Sequence, residues 1–384
     1  MPKILILTVS HGAAHRRAGE ALRAAFEEIQ PASQIEVIDA LKLCARWFHA
    51  YYDSYIIPLR YWPGLWRWLE SYQHRQPSTG PGWLYRAGSQ PLRRYLQAEN
   101  PDIVIATEVG TCELVTFAKR STSARFFLTA LELMDFNRAW VQPEIDFYPV
   151  VHPDLGEELA QSGAPREKIL ACGMPIHPAF SRLPERDSTR LRLGLRGDLP
   201  LLLVLFGGTG FGNPGQIVRE LKKVQTPLQM AFVSGRNSAL EKELRRLLAG
   251  VPNACVLGWV DKMHEWMVAA DLLLSKPGGA SVMEAAACRL PLLAFDPLPG
   301  NEERTCRWLE KWQIGVWLRS SAEIAPVVER LLTNREEQDL LARRAGALAR
   351  PRAAFDVAAE ILKRWSLLSC PSDSRRNSDA KLTK

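Results

Sequence analysis

Lys276-Pro277-Gly278-Gly279-Ala280-Ser281 is followed three residues later by Glu284. Glycine lets a backbone approach an anion closely, and a helix starting there offers free N–H groups and the positive end of its dipole. An acid about one and a half turns into that helix can accept from ribose hydroxyls. A second polar cluster, Pro299-Gly300-Asn301-Glu302-Glu303-Arg304, closes the next strand-like run. Two neighbouring strand ends therefore converge on one ligand. The glycine cluster Gly207-Gly208-Thr209-Gly210-Phe211-Gly212 lacks the Lys-Ser/Thr of a P-loop, and a tight turn accounts for it equally well. In the first half, Ser10-His11-Gly12-Ala13-Ala14-His15 sets an imidazole just after a small-residue turn. An imidazole titrates near neutrality and suits general-base work. The plain alternative is a histidine near a helix N-terminus that bonds backbone or water. His11 is the other histidine of that turn. There is no D-x-D motif and no His/Asp/Glu group at metal-ligand spacing, so no metal is implied.

Such residues need strands that end beneath them. The apolar run at 3–9 gives way to a helical pattern at 14–29 and a second strand at 35–38, a βαβ opening. Further strands are expected at 103–106, 126–128 and 147–151. After a Pro- and charge-rich stretch at 178–200 the pattern restarts, with strands at 201–206, 229–233, 254–257, 272–274 and 292–295. The spacing predicts an α/β protein with two doubly wound domains, 1–178 and 179–346, joined near 175–200. The chain is helical in pattern from 322 to 365, and the part from 347 is expected to pack back on the first domain. The polar, Ser-rich residues 366–384 are expected to be disordered.

The chain has 384 residues, of which 47% are apolar, enough for two cores. No apolar run approaches the roughly 20 residues of a membrane span. The N-terminal residues lack a signal-peptide pattern, and a cytoplasmic location is expected. Seven scattered cysteines without a C-x-x-C pair suggest neither zinc nor a disulfide framework. The net charge of +7 is uneven. Between Lys42 and Tyr95 eight basic residues meet only Asp53 and Glu70, whereas 108–167 is acid-rich.

The run from Lys276 through Glu284-Ala285, Leu290-Pro291 and Pro299-Gly300-Asn301-Glu302-Glu303 resembles the donor-binding signature of glycosyltransferase family 28, of GT-B fold. Its monogalactosyldiacylglycerol synthase and processive diacylglycerol glucosyltransferase branch is the nearest. Further similarities are Ser10, Gly12, His15-Arg16 and Ala21-Leu22; Pro101-Asp102; Thr129, Trp140 and Asp146. They continue with Gly173-x-Pro175-Ile176-x-Pro178-x-Phe180, Ser234-Gly235-Arg236-Asn237 and Gly258-x-Val260-x-x-Met263. Together they run over residues 3–318.

The resemblance implies two Rossmann-like domains facing a central cleft and a UDP-sugar as donor substrate, with no cofactor. It implies that Trp259 and Val260 border the uracil, that Gly278 and Gly279 face the diphosphate, and that Glu284 holds the ribose. Asn301 and Glu302 would touch the sugar, with Gly208, Arg236 and Ala280 completing the donor side. His15 would be the catalytic base and Gly12 part of the acceptor side. The chain departs from the family pattern on the acceptor side, at Ala13, Ala14, Glu108 and Ala130, and has Asn301 where glutamine is usual.

Between 46 and 95 the chain is crowded with Trp, Tyr and Arg, including Trp62, Trp66, Arg67 and Trp68. Amphipathic rings favour a lipid interface and arginines favour anionic head groups. Stacking on nucleic-acid bases is the rival, but no RNA-binding motif accompanies the stretch. The expectation is an inverting transfer of a hexose to a lipid hydroxyl, diacylglycerol first, by a protein attached peripherally to the inner face of the cell membrane. The alternatives are an epimerase or transferase acting on a polyprenyl-linked or small acceptor, and a membrane-associated nucleotide-sugar-binding protein without turnover.

Overall fold

The computed structural model describes residues 1–9, 13–54, 56–131, 134, 137–206 and 213–369. The first sheet holds β1 (Lys3–Thr8), β2 (Gln34–Asp39), β3 (Ile103–Ala106) and β4 (Phe127–Ala130). They lie in the order β2-β1-β3-β4, all parallel. A bridge from Thr129 to Phe147 carries it on towards the paired β5 (Tyr148–Val150) and β6 (Ile169–Ala171). The second sheet comprises β7 (Leu201–Leu205), β8 (Gln229–Val233), β9 (Ala254–Leu257), β10 (Leu272–Ser275), β11 (Leu292–Ala294) and β12 (Gly315–Trp317). Their order is β12-β11-β10-β7-β8-β9, again all parallel. Central strands such as β3 and β7 are buried on both faces, which is why they read as unbroken apolar runs.

Around the first sheet lie α1 (Ala13–Ile29), α2 (Arg46–Asp53), α3 (Ile56–Tyr61), α4 (Pro63–Gln73), α5 (Gly82–Gly88), α6 (Gln90–Glu99), α7 (Val109–Ser121) and α8 (Pro153–Gln161). With the second go α9 (Arg186–Arg192), α10 (Pro214–Leu221), α11 (Ser238–Leu247), α12 (Met263–Ala269), α13 (Gly279–Ala287), α14 (Asn301–Lys311), α15 (Ile324–Thr333) and α16 (Arg335–Leu348). The last helix, α17 (Ala353–Ser369), follows a break at Pro351 and packs along α1 of the first half. Val357, Ala358 and Ile361 share the core with Ala18, Leu22 and Phe26. Helix continues to Ser369, four residues into the stretch expected to be disordered; residues 370–384 lie outside the described part.

The chain crosses between the halves at Gly173, whose N–H bonds Val150 O at 3.2 Å and whose φ is +89°. A Cβ there would stand 2.5 Å from Arg350 Cβ and 3.0 Å from Ala353 Cβ, at the start of the returning helix. Gly173→Ala is expected to lower the thermal midpoint by several degrees, from a strain and clash of about 1–3 kcal/mol. Gly194, with φ +70° and open space around it, is the control. Gly194→Ala carries only the left-handed backbone cost, about 1 kcal/mol.

Each sheet has a switch point, where consecutive strands leave a central strand in opposite directions; ligands bind at the carboxyl ends of strands there. In the first sheet it lies between β1 and β3, in the second between β7 and β10. The residues singled out for chemistry follow β1, β7 and β10.

Candidate functional site

His15 sits in the first turn of α1, directly after β1. Its Nδ1 is 2.6 Å from the carbonyl oxygen of Thr107, which follows β3, so the imidazole spans the first switch point. A carbonyl only accepts, so Nδ1 carries the proton and the neutral ring keeps its lone pair on Nε2. The ring is thus oriented by backbone, as a base needs. His11 and Gly12 lie outside the described residues, as does Gly208.

Across from it, Gly278 caps α13 with extended backbone (φ −64°, ψ 137°) and no side chain caps the helix. An added Cβ at Gly278 would meet nothing within 4 Å. The first-turn N–H groups, with Gly279 and Ala280 buried behind them, are left for an anion. Lys276 Nζ lies 3.7 Å from Asp296 at the ends of β10 and β11. Glu284 points inward from α13 and is 6% exposed. Burial pushes its carboxyl above the usual range, and the charge of Arg17 pulls it partly back. Arg17 Nη1 is 3.5 Å from Glu284 Oε2. That contact joins α1 to α13, two residues from His15, and brings the donor and acceptor candidates to one cleft.

The turn before α14 is built on positive φ at Asp296 (+51°) and Gly300 (+90°). Glu302 accepts from Leu298 N–H at 2.6 Å; burial raises its carboxyl, against that N–H and Lys276. Asn301 opens the helix and is exposed. At the ends of β8 and β9 the Arg236 guanidinium lies 4.2 Å from the centre of the Trp259 ring, whose Nε1 donates to Asp261 at 2.6 Å. Trp259 is 51% exposed and Val260 half-buried, so this tryptophan is a surface platform rather than core.

The structure divides the aromatic-basic residues. Trp62 and Trp68 are 58% and 64% exposed, and Trp68 stacks on Tyr72 with centroids 6.2 Å apart. Trp66 is half-buried, and Arg67 turns the other way, donating to Glu303 at 2.7 and 3.2 Å. Arg67 was expected to serve a lipid head group, but its guanidinium is engaged by the second half of the chain. Glu108 and Ala130 have structural roles. Glu108 accepts from Gly110 and Thr111 N–H at the start of α7 and from Tyr52 Oη, and Ala130 is buried in β4.

Sequence reasoning missed Arg17 as a site residue, and also the pair of Glu70 with Arg304. A cation two residues from His15 was the one local signal for Arg17. Among the described residues no group of three His, Cys, Asp or Glu is placed to hold a metal, and the described cysteines are free. No described helix is long and apolar enough to cross a membrane.

Two parallel sheets whose switch points face one cleft define the GT-B architecture. Solved structures agree on the fold. S. aureus MnaA with UDP superposes with a TM-score of 0.65 at 12% identity, over 96% of this chain and 98% of that one. Acinetobacter baumannii MurG gives 0.62 at 16%, over 94% and 100%. The monogalactosyldiacylglycerol synthase family model matches residues 15–176. A processive diacylglycerol beta-glucosyltransferase of Bacillus cytotoxicus is 26% identical over 94% of each chain, and one of Bacillus cereus 28% over 86% of each. The chain is a glycosyltransferase of GT-B fold, similar in sequence to monogalactosyldiacylglycerol synthases and processive diacylglycerol glucosyltransferases.

Proposed function

We propose that this glycosyltransferase moves a hexose from a UDP-sugar to a lipid hydroxyl, diacylglycerol first, with inversion at the anomeric carbon. The observation that carries this reading is the Arg17–Glu284 contact, which sets the start of α1, with His15, against the helix that would hold the nucleotide. The acceptor oxygen attacks C1 of the sugar from the face opposite UDP while His15 Nε2 takes the hydroxyl proton. The bond from C1 to the β-phosphate oxygen breaks, and UDP leaves with both electrons. The free N–H groups of α13, with Lys276 nearby, meet the charge on the departing diphosphate. Trp259 and Val260 border the base, Glu284 accepts from the ribose, and Asn301 and Glu302 meet the sugar. The named relatives use diacylglycerol, and that supports the lipid acceptor.

Solved epimerases share the fold, such as the UDP-GlcNAc 2-epimerase of Neisseria meningitidis at 13% identity. The family model and the sequence relatives favour transfer. The deciding assay is UDP release from UDP-glucose and UDP-galactose with a panel of lipids. Release that needs diacylglycerol is expected; release indifferent to every lipid overturns the acceptor.

The exposed side chains of Trp62, Leu65, Trp68 and Tyr72 form the surface that would rest in the head-group region of an anionic inner-face membrane. A ring burying about 50 Å² there gains about 1 kcal/mol. Trp62→Ala with Trp68→Ala is therefore expected to weaken co-sedimentation with anionic vesicles by more than about tenfold, with the far-UV dichroism spectrum retained. Indifference of the wild type to such vesicles removes the membrane contact.

A further inference from the structure

Helix α4 has two faces. At about 100° per residue, Leu65, Trp68 and Tyr72 make one stripe, and Arg67 and Glu70 lie roughly 160° away on the other. The second face does not belong to the first half alone. Arg67 holds Glu303 through two hydrogen bonds, and Glu70 holds Arg304 through two more, one of 3.0 Å. The charges are reciprocal: α4 supplies a cation and an anion, and α14 answers each with its opposite.

Both pairs grip the turn that carries Asn301 and Glu302. Glu303 is engaged twice, since its Oε2 also accepts from Gly300 N–H at 3.3 Å and so caps α14. The Glu70 carboxylate lies directly against Gly300, where an added Cβ would stand 2.7 Å from it. Gly300 has φ +90° and Asp296 +51°, so the turn follows a path that side-chain-bearing residues rarely adopt. Such a turn needs support from outside itself. Besides the Lys276–Asp296 contact within the second domain, that support comes from the first domain.

We propose that Glu70 and Arg67 are positioning residues for the donor sugar: by holding Arg304 and Glu303 they shape the Gly300 turn that presents Asn301 and Glu302 to the hexose. The nucleotide half of the donor does not depend on them, because Trp259, Gly278, Gly279 and Glu284 lie on other strand ends. Donor-sugar recognition is then shared between the domains. This rests on the reading above that Asn301 and Glu302 touch the sugar.

The test separates sugar from nucleotide. UDP-hexose KM, kcat and UDP affinity are measured for Glu70→Arg, Arg304→Glu and the charge-swapped double variant. Each single change opposes like charges in a partly buried pair; it is expected to raise the KM for UDP-hexose about tenfold or more, while UDP affinity stays within about twofold. The double variant restores at least half of that loss on a logarithmic scale. Should a single variant unfold, Glu70→Gln and Arg304→Lys provide milder versions with the same direction. Equal losses for UDP and UDP-hexose, or a double variant no better than its parents, overturn the positioning role. Asn301→Ala distinguishes the underlying reading. If it leaves the UDP-hexose KM unchanged, the sugar contact itself has failed; if it raises that KM and Glu70→Arg does not, only the positioning role has.

Discussion

His15→Ala is expected to lower kcat about a thousandfold while UDP affinity changes less than about twofold. The magnitude is that of a well-placed general base, 10²–10⁴. Placement is the reason to expect the middle of that range. The Thr107 carbonyl fixes the Nδ1 tautomer at 2.6 Å, so Nε2 is the acceptor in the neutral ring without further rearrangement. Because the partner is a backbone atom, this orientation does not depend on another side chain. The hydrogen bond of the histidine stays within the first half, to Thr107, whereas Arg17, two residues on, reaches the donor half. Loss of the imidazole should therefore leave nucleotide binding intact. Single-turnover transfer and calorimetric titration with UDP check the two halves separately. Full turnover in the variant would end the base assignment, and a parallel loss of UDP binding would instead assign His15 to the donor side.

The fold was legible where burial is two-sided. Ile103–Ala106, Leu201–Leu205 and residues 230–233 sit between helix layers, so their sequences are continuous apolar runs with clear ends. The short β6 and β12 escaped, because Ile169–Ala171 is largely exposed and three residues carry no period. The segment proposed to hold the donor stood out in the sequence because its features are local: Gly278, Gly279 and Glu284 lie within one strand-to-helix turn. What joins the halves was not. Arg17 and Glu284 are 267 residues apart, and Arg67 and Glu303 are 236 apart. No pattern along the chain marks such pairs. The same limit explains why Arg67 was grouped with the lipid-facing aromatics. Composition identifies an aromatic-basic stretch, but only the helix decides which side each residue takes.

Glu284→Ala is expected to weaken UDP binding about a hundredfold. Hydrogen bonds to a charged group contribute about 1.5–3 kcal/mol each, so losing the ribose contact amounts to roughly 3 kcal/mol. Fold stability does not account for such a loss. Burial raises the Glu284 carboxyl, and an acid whose folded-state pKa is raised costs stability at any pH above it. Glu284→Gln should then leave the unliganded protein at least as stable, and costs about tenfold in UDP affinity because an amide oxygen accepts more weakly than a carboxylate. The pH dependence follows with a definite sign. The carboxylate is the form that accepts from ribose, so wild-type affinity is full well above the raised pKa. It declines on acidification, starting above the ordinary value of 4.5. Arg17 sharpens the contrast, since in the unliganded protein it is the opposite charge beside this buried acid, and ribose must take over part of that partnership. Calorimetry with UDP across that range, for wild type and Glu284→Gln, reads both effects. A flat profile in the variant and an acid-sensitive one in the wild type are expected, and unchanged UDP affinity in Glu284→Ala would remove the ribose role.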